Sequence, residues 1–164
     1  MIEKLLKNKK SSIVNDWVDL IVETYPSESF KFLRSQKNRF GNPVGYTISA
    51  NAEKIFDELI NDKNKDRIKE YLNEIIKIRA VQDFLPSQAV GIMLLLKKIV
   101  RKELEDELKD ASSFKELMNV ESGIDDIALI AFDLYMEARE KLFQIRINDI
   151  KASLQNNGKK SFLG

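Results

Sequence analysis

The sequence predicts an all-α, single-domain helical bundle of six or seven helices, and three observations carry that expectation. Glycine and proline are scarce, six and three in 164 residues, and they fall mostly between periodic stretches. Apolar residues recur at spacings of three and four, the period of a helix with one buried face. No run alternates apolar and polar residues as a half-buried strand would. The length suits one domain, and 43% hydrophobic with 32% charged residues is a soluble, globular composition.

The first long helix is expected from Ser11 or Ser12, both suited to capping a helix N-terminus. Ile13, Trp17, Leu20, Ile21 and Thr24 then share one face. Tyr25-Pro26 ends it, because proline disfavours helical backbone in the residue before it. Ser27 opens a short helix with Phe30, Phe32 and Leu33. In Phe40-Gly41-Asn42-Pro43, Asn42 suits the N-cap and Pro43 the first helical position, where a missing N–H costs nothing. Val44, Ile48, Ile55, Phe56, Leu59 and Ile60 line the next helix, to about residue 61. A polar turn over 61–65 leads to a helix with Ile68, Leu72, Ile75, Ile76 and Ile78, ending near Gln82.

Residues 83–87 interrupt that helix. The next runs from about Pro86 to Leu108 and is the most apolar in the chain, which places it centrally. Ser113 with Glu116 has capping-box spacing and opens a short helix. The last and longest helix is expected from Ser122 to about Asn156, with Ile124, Ala128, Ala131, Tyr135, Ala138, Leu142, Ile145 and Ala152 on its stripe. Its narrower second half admits two readings: packing within the domain, or projection beyond it as a coiled-coil seam. The domain is thus read as residues 1–157, with a flexible C-terminal tail over 158–164.

Composition excludes much chemistry. There is no cysteine, so disulfides, thiol catalysis and cysteine-held metals are out. There is no histidine, the commonest general base and haem ligand. Net charge is +1, which argues against nucleic-acid binding. The longest apolar run, Ala89 to Leu96, is too short to span a membrane, and the basic N-terminus lacks the apolar core of a signal peptide. A cytoplasmic location is expected. The acidic cluster Glu103, Glu105, Asp106, Glu107 and Asp110 lies on one helix end without histidine and reads as a solvated face. From 101 to 126 the chain nets −5, an acidic patch suited to a partner. The N-terminal Lys4, Lys7, Lys9 and Lys10 lack interleaved aromatics. Gly41–Gly45 lacks a phosphate-loop lysine and reads as a turn. No metal site, cofactor or catalytic residue is expected.

The most unusual segment is Arg79-Ala80-Val81-Gln82-Asp83-Phe84-Leu85-Pro86-Ser87-Gln88-Ala89-Val90, which sets polar side chains beside the most apolar helix. Arg79 and Asp83 are four apart and suited to pair, and Ser87 or Asp83 to cap the following helix. One reading is a polar joint holding two helices at an angle. The other is a ligand pocket or signalling hinge. Arg79, Gln82, Asp83, Ser87 and Gln88 are the candidate ligand or switch residues.

Ile78-Arg79-Ala80-Val81-Gln82-Asp83-Phe84, then Pro86-Ser87-Gln88-Ala89-Val90 and Leu96-Lys97, resembles the N-terminal domain of RsbRD-type RsbT co-antagonist proteins. Trp17, Tyr25-Pro26, Phe40 and Asn42-Pro43-Val44-Gly45 are similar to that pattern in the same order. The resemblance covers about residues 10–155. It implies an all-α sensory or regulatory input domain, with related RsbR modules dimeric, globin-like and haem-free. Such domains precede a STAS domain phosphorylated by the RsbT kinase, or occur fused to histidine kinases or alone. This sequence contains neither STAS domain nor kinase. The expectation is a stand-alone, non-enzymatic regulatory module. It is homodimeric and acts on a protein partner, with an unknown small ligand as the possible cue. The alternative is an accessory protein docking on a larger complex through the acidic patch or the last helix.

Overall fold

The computed structural model describes residues 1–35 and 40–162. It holds seven α-helices: α1 (Ile2–Asn8), α2 (Lys10–Glu23), α3 (Ser27–Ser35), α4 (Pro43–Ile60), α5 (Lys65–Val81), α6 (Pro86–Leu104) and α7 (Ala111–Phe162). A single 3-10 turn, Glu105–Glu107, links the last two. No strand occurs among the described residues. The fold is a single all-α domain, as the periodicity predicts. α4 packs between α2 and α5, α2 also meets α6, and α7 lies along α5 and α6.

One core runs through all of these layers. Ile13, Trp17 and Ile21 of α2, Ile55 and Phe56 of α4, Leu72 and Ile75 of α5, and Val100 of α6 have no exposed surface. The Trp17 indole N–H donates to the Ile92 carbonyl at 2.8 Å, so the largest core side chain also satisfies its polar edge.

Four boundaries differ from the sequence expectation. The chain is already helical at Ile2, and Ile2 and Leu6 are fully buried. The basic N-terminus is tied down: Lys9 pairs with Glu107, and Lys10 with Glu53 and Asp57. α6 stops at Leu104 rather than near 108 and tightens into the acidic 3-10 turn. No separate helix precedes Ser122, because α7 starts at Ala111. Asp110 and Ser113 hold that start by exchanging backbone and side-chain hydrogen bonds, while Glu116 accepts from the amino terminus and the Ile2 N–H. Gly123, inside α7, is a packing glycine, since a Cβ there would meet Leu59 Cδ1 at 2.8 Å. α7 continues through 158 to Phe162, and residues 163–164 lie outside those described.

The burial of α7 settles what its second half does. Its core face holds Leu117, Ile124, Ala131 and Tyr135, then thins through Ala138 and Leu142. Beyond Leu142 no residue of α7 is buried, so Ile145, expected on the core stripe, is 56% exposed. The last 20 residues of the helix, 143–162, project about 30 Å beyond the packed face at 1.5 Å per residue. Among the described residues, no helix is long and apolar enough to cross a membrane.

Asn42 caps α4 as predicted, its Oδ1 accepting from the Gly45 N–H at 3.0 Å. Its Nδ2 donates to the carbonyls of Phe32 and Leu33, closing the end of α3 onto α4. A Cβ at Gly45 would lie 2.5 Å from the Leu33 carbonyl oxygen, so only glycine fits. A Cβ at Gly91, inside α6, would meet nothing within 4 Å. Gly45→Ala is therefore expected to destabilise the fold by about 1–3 kcal/mol. Gly91→Ala is expected to stabilise it by up to about 1 kcal/mol through helix propensity. Urea denaturation followed by circular dichroism checks both signs.

Candidate functional site

The bend between α5 and α6 is built first by the backbone. α5 closes with the Phe84 N–H bonded to the Arg79 carbonyl and the Asp83 N–H to that of Ala80. This is the paired closure that needs one left-handed residue just past the helix. Asp83 supplies it with φ 58°, at a position where glycine is the usual choice. Leu85 is then extended, and Pro86 starts α6. Leu85 has no side-chain acceptor for the new helix. The Gln88 Oε1 reaches back to accept from the Leu85 N–H at 3.0 Å, half of a capping box.

Arg79 occupies the inside of this bend. It is fully buried, yet among the described residues no carboxylate pairs with it, Asp83 being paired with Arg139. Its Nη1 donates to Thr24 Oγ1 at 3.1 Å and its Nη2 to the Gln88 carbonyl at 2.9 Å. The guanidinium lies 3.9 Å from the Phe84 ring centroid and 5.5 Å from that of Tyr25. Those two rings meet edge to face at 5.2 Å. The counter-charge is thus spread over ring faces, a hydroxyl, a carbonyl, and the negative ends of α2 and α5, where Thr24 and Arg79 sit. Burial lowers the proton affinity of Arg79 below its ordinary value, and the nearby Tyr25 phenol opposes that shift. The same burial raises Tyr25, which Arg79 in turn lowers. The Tyr25 hydroxyl and Arg79 Nε are both buried without an aligned hydrogen-bond partner.

On its outer side the bend is gripped by α7. The Tyr135 hydroxyl donates to the Phe84 carbonyl. Arg139, one turn further on, donates from Nη1 to the Ala80 carbonyl at 3.1 Å and pairs with Asp83 Oδ1 at 2.6 Å. Hydrogen bonding from Arg139 holds the exposed Asp83 carboxyl below its ordinary value.

The five sequence candidates therefore occupy different places. Arg79 points inward and Asp83 outward, so the expected Arg79–Asp83 pair does not form. The left-handed backbone at Asp83 separates the two side chains. Gln82 and Ser87 are exposed, and Gln88 braces Leu85 from the surface. Neither Ser87 nor Asp83 caps α6, whose N-cap is Leu85. Thr24, Tyr25, Tyr135 and Arg139 were not singled out for this role. Tyr25-Pro26 reads as a helix end and as part of the family pattern, not as a lining of the bend, and no local spacing marks a contact 56 residues away. Among the described residues, no cluster of carboxylates is placed to hold a metal ion.

Fold and joint together define an all-α domain organised around a braced bend and a long projecting last helix. The chain belongs to the RsbT co-antagonist protein RsbRD N-terminal domain family, whose model matches residues 11–149. An uncharacterized protein of Archaeoglobus fulgidus is 27% identical over 157 residues, covering 89% of this chain and 87% of that protein. No solved structure matches significantly.

Two outcomes follow from the Arg79 environment. Arg79→Ala strips two hydrogen bonds and the filling between two rings, and should cost about 2–4 kcal/mol in denaturant unfolding. Tyr25 adds a pH dependence. Its folded pKa lies above the unfolded value of 10.0, so the stability it contributes is complete below pH 10.0 and is lost as pH rises through the folded value. Tyr25→Phe should reduce the alkaline loss of stability, read from unfolding curves on either side of pH 10.0.

Proposed function

We propose that the protein is a non-enzymatic regulatory input module of the cytoplasm, working by a population shift at the α5–α6 bend. A small ligand or a protein partner that favours one arrangement of Arg79, Gln82, Asp83, Ser87 and Gln88 would shift the domain between states. The observation that carries this reading is the double grip of α7 on the bend. With Tyr135 and Arg139 holding Phe84, Ala80 and Asp83, rearrangement of the bend must move or release the long helix. Family membership supports the regulatory class.

The output surface is read as a protein interface, first of all a second copy of the chain. Lys97–Asp125 and Arg101–Glu121 set α6 antiparallel to α7, which brings Leu94 level with residue 128 and Val90 level with Phe132. Leu94, Leu129, Phe132 and Met136, 41–67% exposed, then make one apolar face bordered by the bend. Exposed apolar patches of this kind mark association sites.

A Tyr135→Phe, Arg139→Ala double variant tests the coupling. Hydrogen exchange at residues 80–86 should quicken, and the dimer dissociation constant from sedimentation should change severalfold. Faster exchange at the bend with unaltered self-association would refute transmission through α7.

A further inference from the structure

Where α7 leaves the packed face, its charge changes sign. Residues 111–142 carry seven acids and three basic residues, whereas residues 143–162 carry four basic residues and one acid. No residue of this projecting part is buried. Phe143, Ile150 and Leu154 are 60–66% exposed. At about 100° per residue, those three and Ile147 fall within a sector of about 60°. Arg146 and Lys151 stand about 40° beyond its two edges, one on each side. The single acid, Asp149, lies on the opposite face with Asn148, Gln155 and Asn156, where Ile145 is the one large apolar residue.

A protein helix is a poor match for this stripe. Taken as a coiled-coil seam, Phe143, Ile147, Ile150 and Leu154 have the right spacing, but the seam meets Glu140 before them and Asn157 and Ser161 after them. It therefore spans about two heptads, where a stable seam needs about three or four. A negatively charged lipid surface matches both its shape and its charge. A helix lying in the plane of a membrane sinks a narrow face of Phe, Ile and Leu to the acyl boundary and keeps basic side chains at the level of the headgroups. Arg146 and Lys151 are placed to do that, their apolar stems beside the stripe and their charges beyond it. Lys159 and Lys160 add charge at the far end. The acids of the packed half are repelled by the same surface, which confines contact to the projection.

We propose that residues 143–162 of α7 dock in the plane of an anionic membrane surface. Phe143, Ile147, Ile150 and Leu154 enter the interface, and Arg146 and Lys151 reach headgroup phosphates on either side of them. Four apolar side chains hold a helix only weakly on neutral lipid, and four cations alone do little better, so the two signals act together. Binding is therefore reversible and depends on both lipid charge and salt. The proposal goes beyond the regulatory reading and does not require movement of the bend.

Flotation of the full chain with vesicles tests this. The vesicles are phosphatidylcholine alone, or phosphatidylcholine with about one-third phosphatidylglycerol. Two double variants accompany the native chain: Ile150→Ser with Leu154→Ser, and Arg146→Gln with Lys151→Gln. All four positions lie outside the packed core, and circular dichroism confirms the fold of each variant. The native chain should float with the charged vesicles. Its apparent affinity should fall about tenfold on neutral vesicles, at raised salt, and in either variant. Absence of flotation with charged vesicles would overturn the proposal. So would flotation indifferent to Ile150 and Leu154, which would place the contact elsewhere, as at the N-terminal lysines. Sedimentation without lipid completes the test: if the Ile150, Leu154 variant loses self-association that the native chain shows, a second copy covers the stripe and the lipid assignment falls.

Discussion

A guanidinium without a carboxylate, enclosed where α2, α5 and α6 meet, is the constraint on which the rest of the architecture depends. Removing such a group from water carries a penalty of several kcal/mol. Only an arrangement that keeps Thr24, the Gln88 carbonyl and two aromatic rings around Arg79 offsets it. Arg79 therefore specifies the geometry of the bend more tightly than apolar packing does. A hydrophobic side chain at this place would tolerate small slips of α6; a fork of fixed N–H directions does not.

The same segment is held from the far side by groups of a different kind. Tyr135 and Arg139 donate to the Phe84 and Ala80 carbonyls, and the Asp83 side chain, on a left-handed backbone, makes an ion pair with Arg139 at the surface. The inner contacts are buried, and the Asp83–Arg139 pair is open to water and salt. The bend thus has one boundary held by buried contacts and one held by a solvent-exposed ion pair.

Much of the fold was legible because its signals are local. Asn42-Pro43 marked the start of α4, the 61–65 turn separated α4 from α5, and Pro86 opened α6. Where the reading failed, tertiary contacts had taken over a local signal. Ser11 and Ser12 are good caps, yet Ile2 and Leu6 extend helix in front of them because both are buried. The expected helix start at Ser122 lies inside α7, where Gly123 gives clearance to Leu59 of α4. The candidate segment was visible as polar residues beside an apolar helix. Which of them would be buried was not, since Asp83 takes a conformation that no glycine announces.

Trp17 is the one tryptophan of the chain, and its indole N–H is bonded to the Ile92 carbonyl of α6, within two turns of Pro86. Fluorescence from a single indole depends on the polarity and hydrogen bonding at its nitrogen. A tilt of α6 that lengthens this contact would change the emission of the native protein. The domain therefore contains its own optical gauge of the helix that follows the bend, readable without a label.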